Sequence, residues 1–391
     1  MIMTAATAAV VMLAAPAATA GTDAGAGAAA PCQQITQPPP EGSNTQLNGV
    51  GVVSACNAWA VGFDSSGAGA QTLIYHWNGS LWTQVASPDP GAAPASDSLN
   101  AISVVSASDA WAVGSATSAD VSSALIEHWT GGKWVTVPSP KTGGGTGQSL
   151  LQGIWASSAK NIWAVGYTVS GPHDSVSSLI EHWTGTSWKK VGLKLTGPAK
   201  GTFLSAVSGA SAKQIWATGF YCPTEAKCVP TILGWNGTRW RRSSIPSLPT
   251  AVSGFLYGVS AFSKTSAWAV GTAQKTSAGG PLIEHWNGQS WSRMKVAYPP
   301  SSFSILRAVL AISAKEAIAV GMYQPEPTGL QTSLTMTWNG TRWGTGPVRD
   351  PLGAGLNYSL NAVAGHSCAT TWLVGDGYKV SNAERPATVR C

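Results

Sequence analysis

Leu47 to Gly62 reads LNGVGVVSACNAWAVG and Thr72 to Pro88 reads TLIYHWNGSLWTQVASP; Leu99 to Gly114 then reads LNAISVVSASDAWAVG and Ala124 to Pro140 reads ALIEHWTGGKWVTVPSP. The same template begins again at Leu151, Leu204, Leu256, Leu306 and Leu360. Its first Trp falls at Trp59, Trp111, Trp163, Trp216, Trp268 and Trp372, with Ile318 in the sixth copy, so the period is about 52 residues. Two further Trp, as at Trp77 and Trp82, recur in the first six copies, and only Trp155 of the 19 Trp stands outside the template. A period of that length indicates one supersecondary unit per copy, which cannot bury its apolar face alone and must pack against its neighbours.

Each copy resolves into four short strands. LNGVGVV and AWAVG are rich in the β-branched and aromatic side chains that suit a pleated surface, and a tight polar turn joins them. A third strand, LIEHW, leads to a hairpin turn marked by Asn78-Gly79, Thr130-Gly131, Thr184-Gly185, Asn236-Gly237, Asn287-Gly288 and Asn339-Gly340, since Gly and Asn tolerate the positive φ such turns need. A fourth strand follows as WTQVASP, and Pro ends it. Four antiparallel strands repeated radially make an all-β fold, a β-propeller of seven blades. The seventh copy stops at Cys391 after three strands, and residues 32–40 align without a gap on residues 82–90. The N-terminal segment is therefore expected to supply the outer strand of the last blade and to remove a free sheet edge.

With a small residue and Gly closing the second strand and Trp opening the fourth, the chain resembles the seven-bladed propellers of the kelch and galactose-oxidase type. It departs from them where Val61-Gly62, Val113-Gly114 and Val165-Gly166 stand in place of a Gly-Gly pair. It looks closer still to the Trp-rich repeats of secreted actinobacterial proteins. That likeness implies a fold and an export route, and no activity.

Composition narrows the classes. Charged residues make up 10% and the formal charge is +6, which excludes a charged coiled coil and an acidic disordered chain and points away from nucleic acid. The run Arg239, Trp240, Arg241, Arg242 suggests either a phosphate patch with a stacking aromatic or, as the favoured reading, a solvated basic edge. Residues 4–20 form an Ala-rich apolar stretch ending in small residues at Ala18, Thr19 and Ala20, so residues 1–30 read as a signal peptide and flexible leader, and 31–391 as a single propeller. Secretion follows as the expected localisation. No later stretch is long and apolar enough to span a membrane as a helix, and a monomer is expected.

Six Cys in an exported chain point to disulfides. Alignment places Cys391 and Cys32 opposite each other in the closing blade, puts Cys222 and Cys228 in one loop, and leaves Cys56 with Cys368, with Cys368–Cys391 as the rival pairing. His76, His128, His182 and His285 share one repeat position, and Glu127, Glu181 and Glu284 share the position before it. Their dispersal around a ring favours structural hydrogen bonding over a metal or acid/base site, and no metal or cofactor is expected.

Loop length separates the two faces of the disc. The two short turns of each copy repeat in sequence, whereas the two long connections differ between copies and emerge together on the other face, the usual location of binding. The residue after the leading Leu is Asn48, Asn100, Gln152, Ser205, Tyr257, Arg307 and Asn361. These form a polar collar at the channel mouth, which either binds ligand or bridges blades and holds channel water. Tyr167, His173, Tyr221, Tyr323 and Tyr378 are the candidate aromatic and polar contacts on the long loops. The expected function is a non-enzymatic binding propeller for a glycan or an extracellular protein partner. The alternatives are a glycan hydrolase or lyase using Asp174, His173, Tyr257 and Arg307, and a cell-surface scaffold.

Overall fold

The computed structural model describes residues 37–38, 44–65, 69–91, 96–118, 121–141, 147–171, 175–193, 201–275, 278–298, 303–325, 329–346, 352–353, 355–367, 370–378 and 384–390. The predicted leader, Cys32, Cys368, Cys391, His173 and Asp174 lie outside them. In the first blade β1 (Asn44–Ser54), β2 (Asn57–Ser65), β3 (Ala70–Trp77) and β4 (Trp82–Gln84) pair antiparallel in that order. The meander returns as β5–β8 within 98–136, β9–β12 within 148–190, β13–β16 within 202–242, β17–β20 within 253–293 and β21–β24 within 303–345. A seventh sheet holds β25 (Asn357–Ala364), β26 (Trp372–Tyr378) and β27 (Arg385–Arg390). The fold is the seven-bladed all-β propeller that the period predicts.

Each blade is too thin to bury its own faces, so the core lies between blades. Trp59 of blade one meets Trp129 and Trp134 of blade two at centroid distances of 4.8 and 5.4 Å, and the same triad recurs from Trp111 to Trp183 and Trp188 and from Trp163 to Trp235 and Trp240. Tilted and edge-on pairs of this kind add to the large apolar area each indole removes from water. Trp372 of blade seven reaches Trp77 and Trp82 of blade one at 5.0 and 4.9 Å, so the ring closes with the interaction that builds it. Ile318 stands where a Trp is missing because the next blade offers no Trp pair; it packs instead with Val320, Leu360, Leu373 and Val389.

The seven innermost strands lie side by side around the channel, and their close approach needs small residues. A Cβ on Gly153 would lie 2.8 Å from the Ala206 backbone, and one on Gly258 2.9 Å from that of Ala308. Ser103, Ser208 and Ser260 reinforce the ring by accepting from the backbone N–H groups of Ala156, Ala261 and Ala311 of the following blade.

The residues expected to form the fourth strand of blade seven are outside the described residues except at Gln37 and Pro38. There the Gln37 side chain donates to Thr388 O (2.9 Å) and accepts from Thr388 N (2.6 Å), on the outer edge of β27. Thr45 N donates to Glu384 O, tying the start of β1 to the start of β27. Gln37 and β1 thus each touch β27 or its start in the last blade. Cys222 and Cys228 are disulfide-bonded as expected, and Cys56 is exposed in the turn after β1.

The Glu and His of the repeat hydrogen-bond and stack within and between blades. His128 stacks on Trp111 at 3.9 Å with its Nε2 2.9 Å from Asp109 Oδ1, and His182 repeats this with Trp163 and Asn161. Glu127 accepts from Ser87 Oγ (2.9 Å) and Glu181 from Ser139 Oγ (2.8 Å), in each case across the joint to the preceding blade. Burial pushes the Glu127 carboxyl up to about 8 and that of Glu181 to about 7.

Candidate functional site

The collar owes its geometry to a backbone irregularity repeated in every blade. Pairing between the first and second strands skips one residue between Leu47 and Gly49, and it does so again at Leu99/Ala101, Leu204/Ala206, Leu256/Gly258, Leu306/Ala308 and Leu360/Ala362. In blade three the same break leaves Gln152 between Leu151 and Gly153. The skipped residue is the collar residue each time. A β-bulge re-aims its extra side chain, and here it turns seven side chains to the channel mouth. The bulged backbone presses on the second strand, where only Gly fits. A Cβ on Gly62 would lie 1.8 Å from Gln46 O, and one on Gly166 1.9 Å from Leu150 O.

Four collar residues bridge blades. Asn48 donates to Leu99 O (3.0 Å), Asn100 to Leu151 O (2.9 Å), Asn361 to Leu47 O (3.0 Å), and Arg307 Nε to Ser359 Oγ (3.1 Å). Each bond reaches from one blade to the first strand of the next. The bridging role foreseen for the collar is therefore real, and the collar also opens onto a cavity. A mouth of about 590 Å³ is lined by Asn48, Asn100, Gln152, Ser205, Tyr257, Arg307 and Asn361, joined by Gln46, Tyr167, Phe203, Leu204 and Phe220. Below it the channel narrows to rings of small and β-branched residues, among them Gly49, Ala101, Val50 and Ile102.

The mouth has two chemically different sides. On blades three to five Tyr167, Phe203, Phe220, Phe255 and Tyr257 form a continuous arc, with Tyr167–Phe203 at 4.9 Å, Phe203–Phe220 at 5.0 Å and Phe220–Phe255 at 4.8 Å. All five are half-buried. Partial burial holds the Tyr167 and Tyr257 hydroxyls above the usual tyrosine range.

Blades six, seven and one form the polar side. Asp376, 2% exposed, accepts at Oδ1 from Asn361 Nδ2 (2.8 Å) and from Gln46 Nε2 (3.0 Å). Ser359 Oγ donates to the Asn361 amide oxygen (2.9 Å) and accepts from Arg307. Burial raises the Asp376 carboxyl, and the Asn361 and Gln46 bonds and the Arg307 charge partly offset that rise. Asp376 thus acts from behind, orienting two amides that face the cavity.

Of the candidates read from the sequence, the seven collar residues (Asn48, Asn100, Gln152, Ser205, Tyr257, Arg307 and Asn361) and Tyr167 meet at this mouth. His173 is outside the described residues. Tyr221 and Tyr323 do not line it: Tyr221 follows the mouth-lining Phe220 on a strand whose successive side chains alternate, and Tyr323 packs against the core cluster of blade six. Tyr221 instead lies under the Arg242 guanidinium at 4.5 Å. Tyr378 also lies off the mouth; its carbonyl accepts from Asn357. Gln46, Phe203, Phe220 and Asp376 complete the site. Their signal is variation at two repeat positions: before the leading Leu (Gln46, Ser98, Leu150, Phe203, Phe255, Ile305, Ser359) and after the second-strand Gly (Phe63, Ser115, Tyr167, Phe220, Thr272, Met322, Asp376).

Among the described residues no group of His, Cys, Asp and Glu is placed to hold a metal, and no helix is long and apolar enough to cross a membrane. No family model matches the chain, and no curated protein does. Solved structures do resemble it. YCF48 from Cyanidioschyzon merolae is 12% identical with a TM-score of 0.52, covering 90% of this chain and 97% of that one. A polysaccharide lyase of family PL25, an ulvan lyase solved with -[GlcA(1-4)Rha3S]-, is 10% identical with a TM-score of 0.56, covering 91% and 96%. A fucose-specific lectin from Aleuria aurantia is 16% identical with a TM-score of 0.45, covering 78% and 95%.

Proposed function

We propose that this chain is a secreted binding protein that holds a glycan at the channel mouth on its long-loop face. The observation that carries the reading is the pairing of an aromatic arc with an arc of fixed amides across one open cavity. Sugar rings present apolar C–H faces that stack on aromatic side chains, and hydroxyl edges that need donors and acceptors. Bulge-held amides whose other bonds are already made are pre-organised, so binding orders few side chains.

Shape does not choose between partners. YCF48 has been solved with a D1 peptide and the ulvan lyase with a saccharide, both on propellers of similar outline. The chemistry of the mouth makes the choice here. Among the described residues lining it there is no carboxylate and no histidine for acid–base work, and burial raises both tyrosine hydroxyls above their usual range. That favours holding a glycan over cleaving it.

A glycan array probed with the wild-type protein and with Tyr257→Ala and Phe220→Ala tests the reading. Selective binding by wild type, lost in both variants while their circular dichroism is retained, is expected. A blank array alongside capture of one defined protein, or turnover of an arrayed glycan, would overturn it.

A further inference from the structure

Arg307 is the one charged side chain among the described residues that line the mouth. It belongs to a single blade; the other six place Asn, Gln, Ser or Tyr at its repeat position. Burial is the norm around it, yet Arg307 itself is exposed. Its Nε is held by Ser359 Oγ at 3.1 Å, which fixes the plane of the guanidinium, and among the described residues neither Nη has a partner. The carboxylate nearest in the network, Asp376, makes no ion pair with it and spends Oδ1 on Asn361 and Gln46. Arg293 shows what a satisfied guanidinium does in this protein: its Nε and Nη2 donate to Glu284 Oε1 at 3.0 and 2.8 Å, and its Nη groups also donate to the Ser247 and Pro246 carbonyls. Arg307 therefore presents two parallel donors and a positive charge with no direct ion pair among the described residues, at the edge of the aromatic arc beside Tyr257.

We propose that the ligand is an anionic saccharide, with a carboxylate or sulfate held bidentate by the Arg307 Nη groups while a neighbouring ring stacks on the Tyr257–Phe220–Phe203 arc. A planar fork aimed at open solvent matches two oxygens of one acidic group, and such charge-assisted pairs are about twice as strong as neutral hydrogen bonds. Specificity follows by subtraction. A neutral sugar at the same place leaves the fork facing a hydroxyl that can use only one of its donors. Because the bond to Ser359 uses Nε alone, the fork is available without breaking the bridge to blade seven.

The proposal rests on the glycan reading above, and the probes separate the two. Isothermal titration would use hyaluronate oligosaccharides (carboxylate only), chondroitin sulfate oligosaccharides (carboxylate and sulfate), their desulfated forms, and carboxyl-reduced hyaluronate as the neutral counterpart. The wild type is expected to prefer an acidic member over its neutral counterpart by about 10-fold to 100-fold. Arg307→Gln should bring the two to equal affinity while leaving binding of the neutral form within about 2-fold. Arg307→Lys should recover only part of the preference, since a point charge cannot form the fork. Loss with desulfation assigns the group to sulfate, and loss with carboxyl reduction to carboxylate. Equal binding of acidic and neutral forms by the wild type, or an Arg307→Gln variant that keeps the preference, would overturn the proposal and leave the glycan reading standing. Failure of every saccharide, with a peptide or protein bound through Tyr257 instead, would overturn both. Thermal unfolding of each variant accompanies the titrations; a loss of binding by Arg307→Gln counts only with an unchanged midpoint, and Arg307→Lys supplies the folded control.

Discussion

Replacing Gly166 by Ala tests the link between the repeat motif and the site. A Cβ there would lie 1.9 Å from Leu150 O and 2.9 Å from the carbonyl carbon of Leu150 and from Leu151 Cα. Every one of these obstacles is backbone, so no rotamer change relieves the clash. The second strand must back away from the first by more than an ångström, at the pair Gly166–Leu151 that borders the bulge at Gln152. Overpacking a fitted interior costs about 1–3 kcal/mol, and a backbone obstacle puts this case near 3 kcal/mol. At roughly 2 °C per kcal/mol for a large domain, the midpoint should fall by about 5 °C or more. Gly132→Ala is the matched control. Its Cβ meets nothing within 4 Å, so it should leave the midpoint unchanged or raise it slightly. Differential scanning calorimetry on the two variants decides the matter. A Gly166→Ala protein that melts within 1 °C of wild type would refute the claim that the bulge is pressed against that glycine.

Trp372→Ala should cost about 3–5 kcal/mol in urea unfolding, because it opens a cavity at the joint that closes the ring, whereas Leu81→Ala at an exposed turn should be close to neutral. Stability should also depend on pH through Glu127 and Glu181. Their carboxyls titrate at about 8 and about 7 in the fold but near 4.5 when unfolded, so the folded state holds the extra protons and their stabilising effect, complete below about pH 4.5, is lost as pH rises through 7 to 8. Glu127→Gln keeps an acceptor for the Ser87 hydroxyl and should flatten part of that slope, with an upper bound of about 4 kcal/mol at pH 8; a slope unchanged by the substitution would contradict the assignment. Reduction of Cys222–Cys228 should cost only about 2 kcal/mol, because a separation of six residues closes a short loop. Non-reducing peptide mapping should link Cys32 to Cys391; a Cys368–Cys391 peptide, or free thiols at both Cys32 and Cys391, would contradict that pairing.

Architecture was legible because it is written seven times. Any one AWAVG segment is an ambiguous apolar run, but Trp59 and its counterparts fix the period, and Asn78-Gly79 and its counterparts fix the hairpins. The collar could be read for the same reason, since Asn48 to Asn361 occupy one position after an invariant Leu. What could not be read was the bulge. Skipping one residue per blade changes which side chains share a face, and a strict period-two count starting from Leu47 misassigns the neighbours of Asn48. Asp376 escaped notice for another reason. It sits one residue after Gly375, where Phe, Ser, Tyr, Thr and Met stand in other blades, so the sequence offers a lone carboxylate with no hint that Gln46, distant along the chain, completes its hydrogen bonds. Nothing in the sequence shows that the ring geometry brings Phe203 and Phe220 onto one arc.

A crystal structure of the protein with the acidic oligosaccharide that binds most tightly tests the central claim most directly, that the bulge-aimed collar and the aromatic arc form one binding site. The account predicts a sugar ring stacked within about 4 Å of Tyr257, Phe220 or Phe203, with its acidic group within hydrogen-bond distance of both Arg307 Nη atoms and its hydroxyls on Asn48, Asn361 or Gln152. A ligand seated on the short-turn face around Asn78 and Asn287, or on the long loops with the mouth left to solvent, would contradict it.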